Sequence, residues 1–101
     1  MIIEHALLSV VPDRVDAFEE AFKKAEPVLA EAEGFVFVDL LRQTGATGAY
    51  LILIAWAGEA AAAGFRASPS YAAWTDLVGS HFAAPFSSDH FEVLSHYPPE
   101  G

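Results

Sequence analysis

Residues 50–56 read YLILIAW, a run with no polar residue apart from the hydroxyl of its tyrosine. Side chains of a strand point alternately to its two faces, so Tyr50, Ile52, Ile54 and Trp56 would face one way and Leu51, Leu53 and Ala55 the other. A strand apolar on both sides must be covered on both sides. Just upstream, residues 35–41 read FVFVDLL, and the two runs are joined by RQTGATGA, a polar connector carrying glycines. That pattern predicts an antiparallel hairpin at the centre of a sheet.

The flanking segments supply the other elements. Ile2 to Val11 is mostly apolar and rich in β-branched residues, and Pro12 ends it, so it reads as a first strand. Asp13 then stands where a helix N-cap would, with Asp16 near the positive end of the helix dipole. Val15, Phe18, Phe22, Ala25, Leu29 and Ala32 recur at steps of three and four, the stripe of a helix lying on a core. Pro27 falls within that stripe and removes a backbone donor, which predicts a kink or short break between Lys23 and Pro27. Gly34 provides the stop. After the hairpin, Gly58 to Gly64 is alanine-rich and helical in character. Ser68 and Pro69 look like an N-cap and a first-turn proline, so the second helix comes in two pieces. Tyr71, Trp74, Leu77, Val78, His81 and Phe82 share a face of the longer piece. His90 to Tyr97 alternates and reads as the last strand.

The order is βαββαβ. Right-handed crossovers make this an α+β, ferredoxin-like domain over residues 1–97, with a four-stranded antiparallel sheet, helices on one face, and a disordered tail at 98–101. The other face is then an apolar surface that needs a partner, and a second copy of the chain is the cheapest cover.

Composition narrows the partners. Hydrophobic residues make up 53% of the chain, while 14 acidic against 5 basic residues give a formal charge of -9. Such a field repels phosphate backbones and anionic lipid, which excludes nucleic acid and membrane surfaces as expected partners. The absence of cysteine removes disulfides and thiolate chemistry. With no signal-peptide pattern at the start, the expected location is the cytoplasm. No HExxH, GxSxG or GxGxxG occurs, and GATG is followed by a strand rather than a helix, so metalloprotease, serine hydrolase and nucleotide sites lack support. No metal site and no cofactor are expected.

The strand ending in Trp56, the acidic alanine-rich turn after it, and the stretch FRASPSYAAW from Phe65 to Trp74 resemble, in their order and spacing, the antibiotic biosynthesis monooxygenase (ABM) family. The resemblance implies a dimeric α/β barrel built from two ferredoxin-like units, with a pocket in each subunit between sheet and helices for a small apolar aromatic ligand. It also implies oxygenation of electron-rich phenols or quinols by O2 without metal, flavin or other cofactor. Members of polyketide pathways carry an asparagine four residues before the tryptophan and a tyrosine six residues after it. Ile52 and Ala62 stand there. In the haem-degrading branch an asparagine, a tryptophan and an iron-binding histidine occupy positions held here by Ala6, Phe65 and Thr75.

Trp56, Phe65, Tyr71 and Trp74 are candidates for the pocket wall, the alternative being core packing. Arg66, the only cation in the second half of the chain, would anchor an anionic ligand or else form an ion pair. A general base working near neutral pH points to histidine. His81 lies on the apolar stripe of the second helix, where it serves either as base or as a charge on the helix end. His5 interrupts an apolar strand on the side of Ile3 and Leu7, and is either a base or a hydrogen-bonded structural histidine. The expected function is a cofactor-independent monooxygenase, with a non-catalytic ligand-binding or stress-response dimer as the alternative.

Overall fold

The structure is a computed structural model and describes residues 1–99; of the expected tail at 98–101, Glu100 and Gly101 lie outside the described residues. The elements are β1 (Ile2–Ser9), α1 (Val15–Ala30), β2 (Phe35–Arg42), β3 (Ala49–Trp56), α2 (Glu59–Arg66), α3 (Pro69–Val78) and β4 (Ser88–Glu92). The strands form one antiparallel sheet in the order β2-β3-β1-β4, the ferredoxin-like arrangement. All three helices lie on one of its faces. Among the described residues no helix is long and apolar enough to cross a membrane.

Parity along the two central strands decides what is buried. Ala6 and Leu8 of β1 and Tyr50, Ile52, Ile54 and Trp56 of β3 point toward the helices, and Val10 continues the pattern. Phe18, Phe22, Ala25 and Leu29 of α1 and Trp74 and Val78 of α3 close the core over them. The opposite face shows three rows across the sheet. Phe91, Ile3, Ala55 and Phe37 make one, Leu7, Leu51 and Leu41 another, and between them run Asp89, His5, Leu53 and Asp39. Leu7 and Phe91 are more than half exposed on that face.

Three local expectations are corrected. Asp13 is not the N-cap of α1: residues Pro12–Arg14 form a 3-10 turn, and Arg14 occupies the cap position without a side-chain hydrogen bond. Pro27 does not break α1, which runs uninterrupted from Val15 to Ala30. It sits in the last turn, where only one backbone bond is forgone and the Phe22, Ala25 and Leu29 stripe holds the helix onto the sheet. The last strand covers Ser88–Glu92 rather than 90–97, because its only partner is β1 and the ladder runs out there. Val93 N–H donates to Met1 O at 3.1 Å, just past the last ladder pair, Ile2 opposite Glu92.

Two glycines set close approaches. Gly34 ends the α1 turn with φ +82°, and a Cβ there would collide with the Cβ of Ala61 in α2. Gly48, with φ +84°, lies against the Val10 carbonyl and accepts the Val10 N–H at 2.7 Å, tying the hairpin tip to the end of β1. Only glycine satisfies both the left-handed backbone and the missing volume.

Candidate active site

Glu4 is the one buried charged residue in the protein's described part. Its parity with Ala6, Leu8 and Val10 turns it toward the helices, and at that depth a carboxylate must be paired. Three side chains from three other elements meet it. From the end of β3, Trp56 Nε1 donates to Glu4 Oε1 at 3.1 Å. From the last turn of α2, Arg66 donates to Oε2 at 2.5 Å and also to the hydroxyl of Ser88 on β4. From β4, His90, directly opposite Glu4 in the ladder, brings Nε2 to 3.8 Å from Oε1. His90 Nδ1 lies 3.1 Å from the carboxylate of Glu59, two turns before Arg66 on the same face of α2.

Beside this cluster lies a narrow cavity of about 20 Å³ between the sheet and the helices. Its polar end is Glu4 and Arg66, and its walls are Ile52 and Ile54 of β3, Phe65 of α2, Tyr71 and Trp74 of α3, with Ala6 and Phe86 completing it. A void that size holds about one water. Trp74 is 3% exposed, and its indole N–H is buried without an acceptor. A buried donor left unpaired costs ~1–3 kcal/mol, so a wall carrying one is suited to a ligand that brings an oxygen. The site therefore offers a buried carboxylate, a guanidinium and a free N–H around an apolar slot.

The structure thus brings Phe65, Arg66, Tyr71 and Trp74 to one cavity and sets Trp56 one shell behind them, fully buried between Phe35 and Phe65. Arg66 is in an ion pair. The two histidines expected as bases are elsewhere. His5 lies on the face of the sheet away from the helices, edge-on to Phe91 with ring centroids 5.6 Å apart. His81 follows α3 in a 3-10 turn, against Phe18 at 6.4 Å, with a buried Nδ1 that has no partner. Neither lines the cavity. The histidine beside it is His90. Sequence reading also passed over Glu4, although it is the single charge on the even-numbered, helix-facing side of the first strand.

A second polar cluster pins the other end of the sheet. Tyr50 donates to Glu19 Oε2 at 2.5 Å, and Arg42 donates to both oxygens of the same carboxylate at 3.2 and 3.1 Å. Burial, and then the bond to Glu19, push the Tyr50 hydroxyl up to about 12. The Tyr50 hydroxyl, with Arg42 beside it, holds the Glu19 carboxyl below its ordinary range. Among the described residues there is no group of three or more His, Asp or Glu arranged to hold a metal ion.

A four-stranded antiparallel sheet in this order, with its helices on one face and a slot beneath them, defines an α+β protein of the ferredoxin-like class. Residues 1–77 match the sequence profile of the family described as antibiotic biosynthesis monooxygenase, and the chain belongs to that family. It is 32% identical over 94 residues to YczJ of Bacillus subtilis, an uncharacterized protein, with 91% of this chain and 98% of that one covered. Among solved structures, a Bordetella bronchiseptica protein provisionally named an antibiotic biosynthesis monooxygenase superposes with TM-score 0.87 at 30% identity, over 93% of this chain and 97% of that one. The fold is also that of SnoaB, a cofactor-independent oxygenase from Streptomyces nogalater, with TM-score 0.81, 19% identity and 97% of each chain covered.

Proposed function

We propose that this protein is a cofactor-independent oxygenase that oxidises a small phenol or quinol with O2 in the slot between sheet and helices. The observation that carries the reading is an apolar cavity whose polar groups are suited to a hydroxyarene: Glu4 and Arg66 at one end and the unpartnered Trp74 N–H in the wall. Loss of the hydroxyl proton makes the ring electron-rich enough to reduce O2 directly. For a phenol with hydrogen on the attacked carbon, one O2 gives the quinone and one water, so no other reductant is needed. Phe65, Tyr71 and Trp74 form the wall, Trp56 supports them, and Arg66 holds the developing anion.

At about 20 Å³ the slot is too small for an aromatic ring, so binding requires it to open. Phe86 lies on the coil between α3 and β4, and Tyr71 follows the break between α2 and α3; both are half-buried and can swing outward. The functional unit is a homodimer joined through the open sheet face, so each slot is complete within one subunit.

Oxygen uptake with dithranol and a panel of substituted hydroquinones tests the reading. The expected result is a rate above the enzyme-free rate, one O2 consumed per quinone formed, and a decline of at least tenfold in Trp74→Phe with Arg66→Gln. Uptake no faster than the spontaneous rate across the panel sinks it. Ile52, apolar in the cavity wall where oxygenases of this kind carry an asparagine, favours a second reading, a binding protein that performs no chemistry. The lining holds no histidine, which also favours that alternative, yet it is not wholly apolar, since Glu4 and Arg66 belong to it. Thermal stabilisation by phenols without oxygen uptake distinguishes the binding protein.

A further inference from the structure

We propose that Glu4 is the proton acceptor of this cavity and that His90, oriented by Glu59, passes the proton to solvent. The inference rests on the slot taking an ionisable hydroxyl, as in the preceding reading, but not on any reaction with oxygen.

Three ionisable residues line the slot: Glu4, Arg66 and Tyr71. A guanidinium has no lone pair to offer and a neutral phenol is a poor base, so the carboxylate is the acceptor the cavity contains. Its two oxygens have different tasks. Oε2 faces Arg66, while Oε1 accepts the Trp56 N–H and faces His90. A carboxylate has about four lone-pair positions, and Trp56 and Arg66 fill two of them, leaving room for a ligand hydroxyl and for the imidazole. Arg66 need not move far when the charge shifts from Glu4 to the ligand, because both lie at the polar end of the same slot.

With His90 Nδ1 donating to Glu59, a neutral ring presents Nε2 as the acceptor for a proton arriving from Glu4, and this is the tautomer the relay uses. The 3.8 Å separation is of the kind that tightens when a ligand is bound. In the first step the ligand O–H bond breaks, its electron pair stays on the ligand oxygen, and the proton bonds to Glu4. In the second step that proton bonds to His90 Nε2, restoring the Glu4 carboxylate. The imidazolium stands between two carboxylates and loses a proton to water, since the His90 side chain is 27% exposed and that of Glu59 63%. One proton leaves the cavity, and no electron is transferred. Glu4 is then a catalytic residue, and Glu59 a positioning residue acting through His90. The charged and titratable groups facing this path are Glu4 on β1, Glu59 and Arg66 on α2, Tyr71 on α3 and His90 on β4; the scheme uses all but Tyr71, which lines the slot.

The experiment follows 4-nitrophenol, whose anion absorbs apart from its acid, bound to the wild-type protein and to Glu4→Gln, His90→Gln and His90→Ala. Bound to wild type, the phenol should ionise at a pH at least one unit higher than on Glu4→Gln, a tenfold difference in equilibrium, because its anion stands beside the restored Glu4 carboxylate, yet its relaxation to that equilibrium should be at least tenfold faster. Temperature-jump relaxation between bound acid and anion should slow at least tenfold in His90→Gln, with the ionisation equilibrium within threefold of wild type. Added imidazole should restore the rate in His90→Ala and not in Glu4→Gln, a rescue that a merely structural histidine would not show. His90 is on the edge strand, so its variants remain informative even if Glu4→Gln fails to fold. Equal ionisation on wild type and Glu4→Gln overturns the acceptor, and an unchanged relaxation in His90→Gln overturns the relay. Absence of nitrophenol binding to the folded wild type overturns both. Failure of wild type to consume oxygen with dithranol refutes the oxygenase reading alone and leaves these results standing.

Discussion

A single residue, Glu4, explains why several side chains around it are polar at all. Trp56 closes the end of β3, and its indole N–H meets the only buried carboxylate among the described residues. Trp56→Phe keeps the aromatic packing against Phe35 and Phe65 but removes a hydrogen bond to a charged acceptor and leaves a small void. The expected cost is about 2–4 kcal/mol in urea unfolding; a loss below half a kcal/mol would mean that Glu4 is satisfied without it. At the opposite end of the core, Tyr50 and Glu19 tie stability to pH in two directions. Glu19 titrates below its ordinary value, chiefly through the Tyr50 hydroxyl, so its contribution is present above the unfolded carboxyl's pKa and is lost as pH falls through the folded one. Tyr50 is pushed up to about 12, so its contribution is complete below ~10 and is lost as pH rises toward that value. Tyr50→Phe should therefore flatten both limbs of melting temperature against pH, followed by circular dichroism. Limbs as steep as in wild type would show that the pair is uncoupled. The core side of these residues was readable from strand parity. What parity alone did not reveal is the pairing of Glu4, because the partners Arg66 and His90 are 62 and 86 positions away in sequence and meet it only through the fold.

At the scale of elements, periodicity located every strand and helix, and the errors fell at ends. Strand pairing is invisible to periodicity: residues 93–97 alternate like a strand, but the ladder with β1 ends where Ile2 stands opposite Glu92, and Leu94 and Tyr97 are 89% exposed. Pro27 misled for the complementary reason, since a local rule about backbone donors was outweighed by the packing of the α1 stripe. Gly34 was legible as a stop, whereas its second task, admitting α2 against the end of α1, depends on tertiary contact with Ala61. Both tasks forbid a side chain. Gly34→Ala should destabilise by about 2–5 kcal/mol, the left-handed strain adding to overpacking, and Gly34→Ala with Ala61→Gly should recover the overpacking portion. No recovery in the double variant would mean that backbone conformation alone demands the glycine.

For the whole molecule, the open face of the sheet was the first property the sequence imposed, and the structure gives it a pattern. Two apolar rows, one with Ile3, Ala55 and Phe37 and one with Leu7, Leu51 and Leu41, flank a row in which His5 and Leu53 stand between Asp89 and Asp39. In a two-fold pairing of sheets each row meets a row of the partner, so the apolar rows exclude water while the acidic ends of the middle row remain at the rim. A chain of net charge -9 can associate with itself only if carboxylates are kept out of the centre, and His5 and Leu53 are the two middle residues of that row. Light scattering at micromolar concentration should thus give about twice the 10.8 kDa chain mass. Leu53→Lys places an unpaired charge in the middle of the interface and should raise the dimer dissociation constant at least ~100-fold, about 2.7 kcal/mol, while leaving the far-ultraviolet spectrum of the monomer native. Leu94→Lys, beyond the last strand, should leave dimerisation unchanged. A wild-type protein that scatters as a monomer, or a Leu53→Lys variant that remains dimeric, would show that this face is covered in some other way.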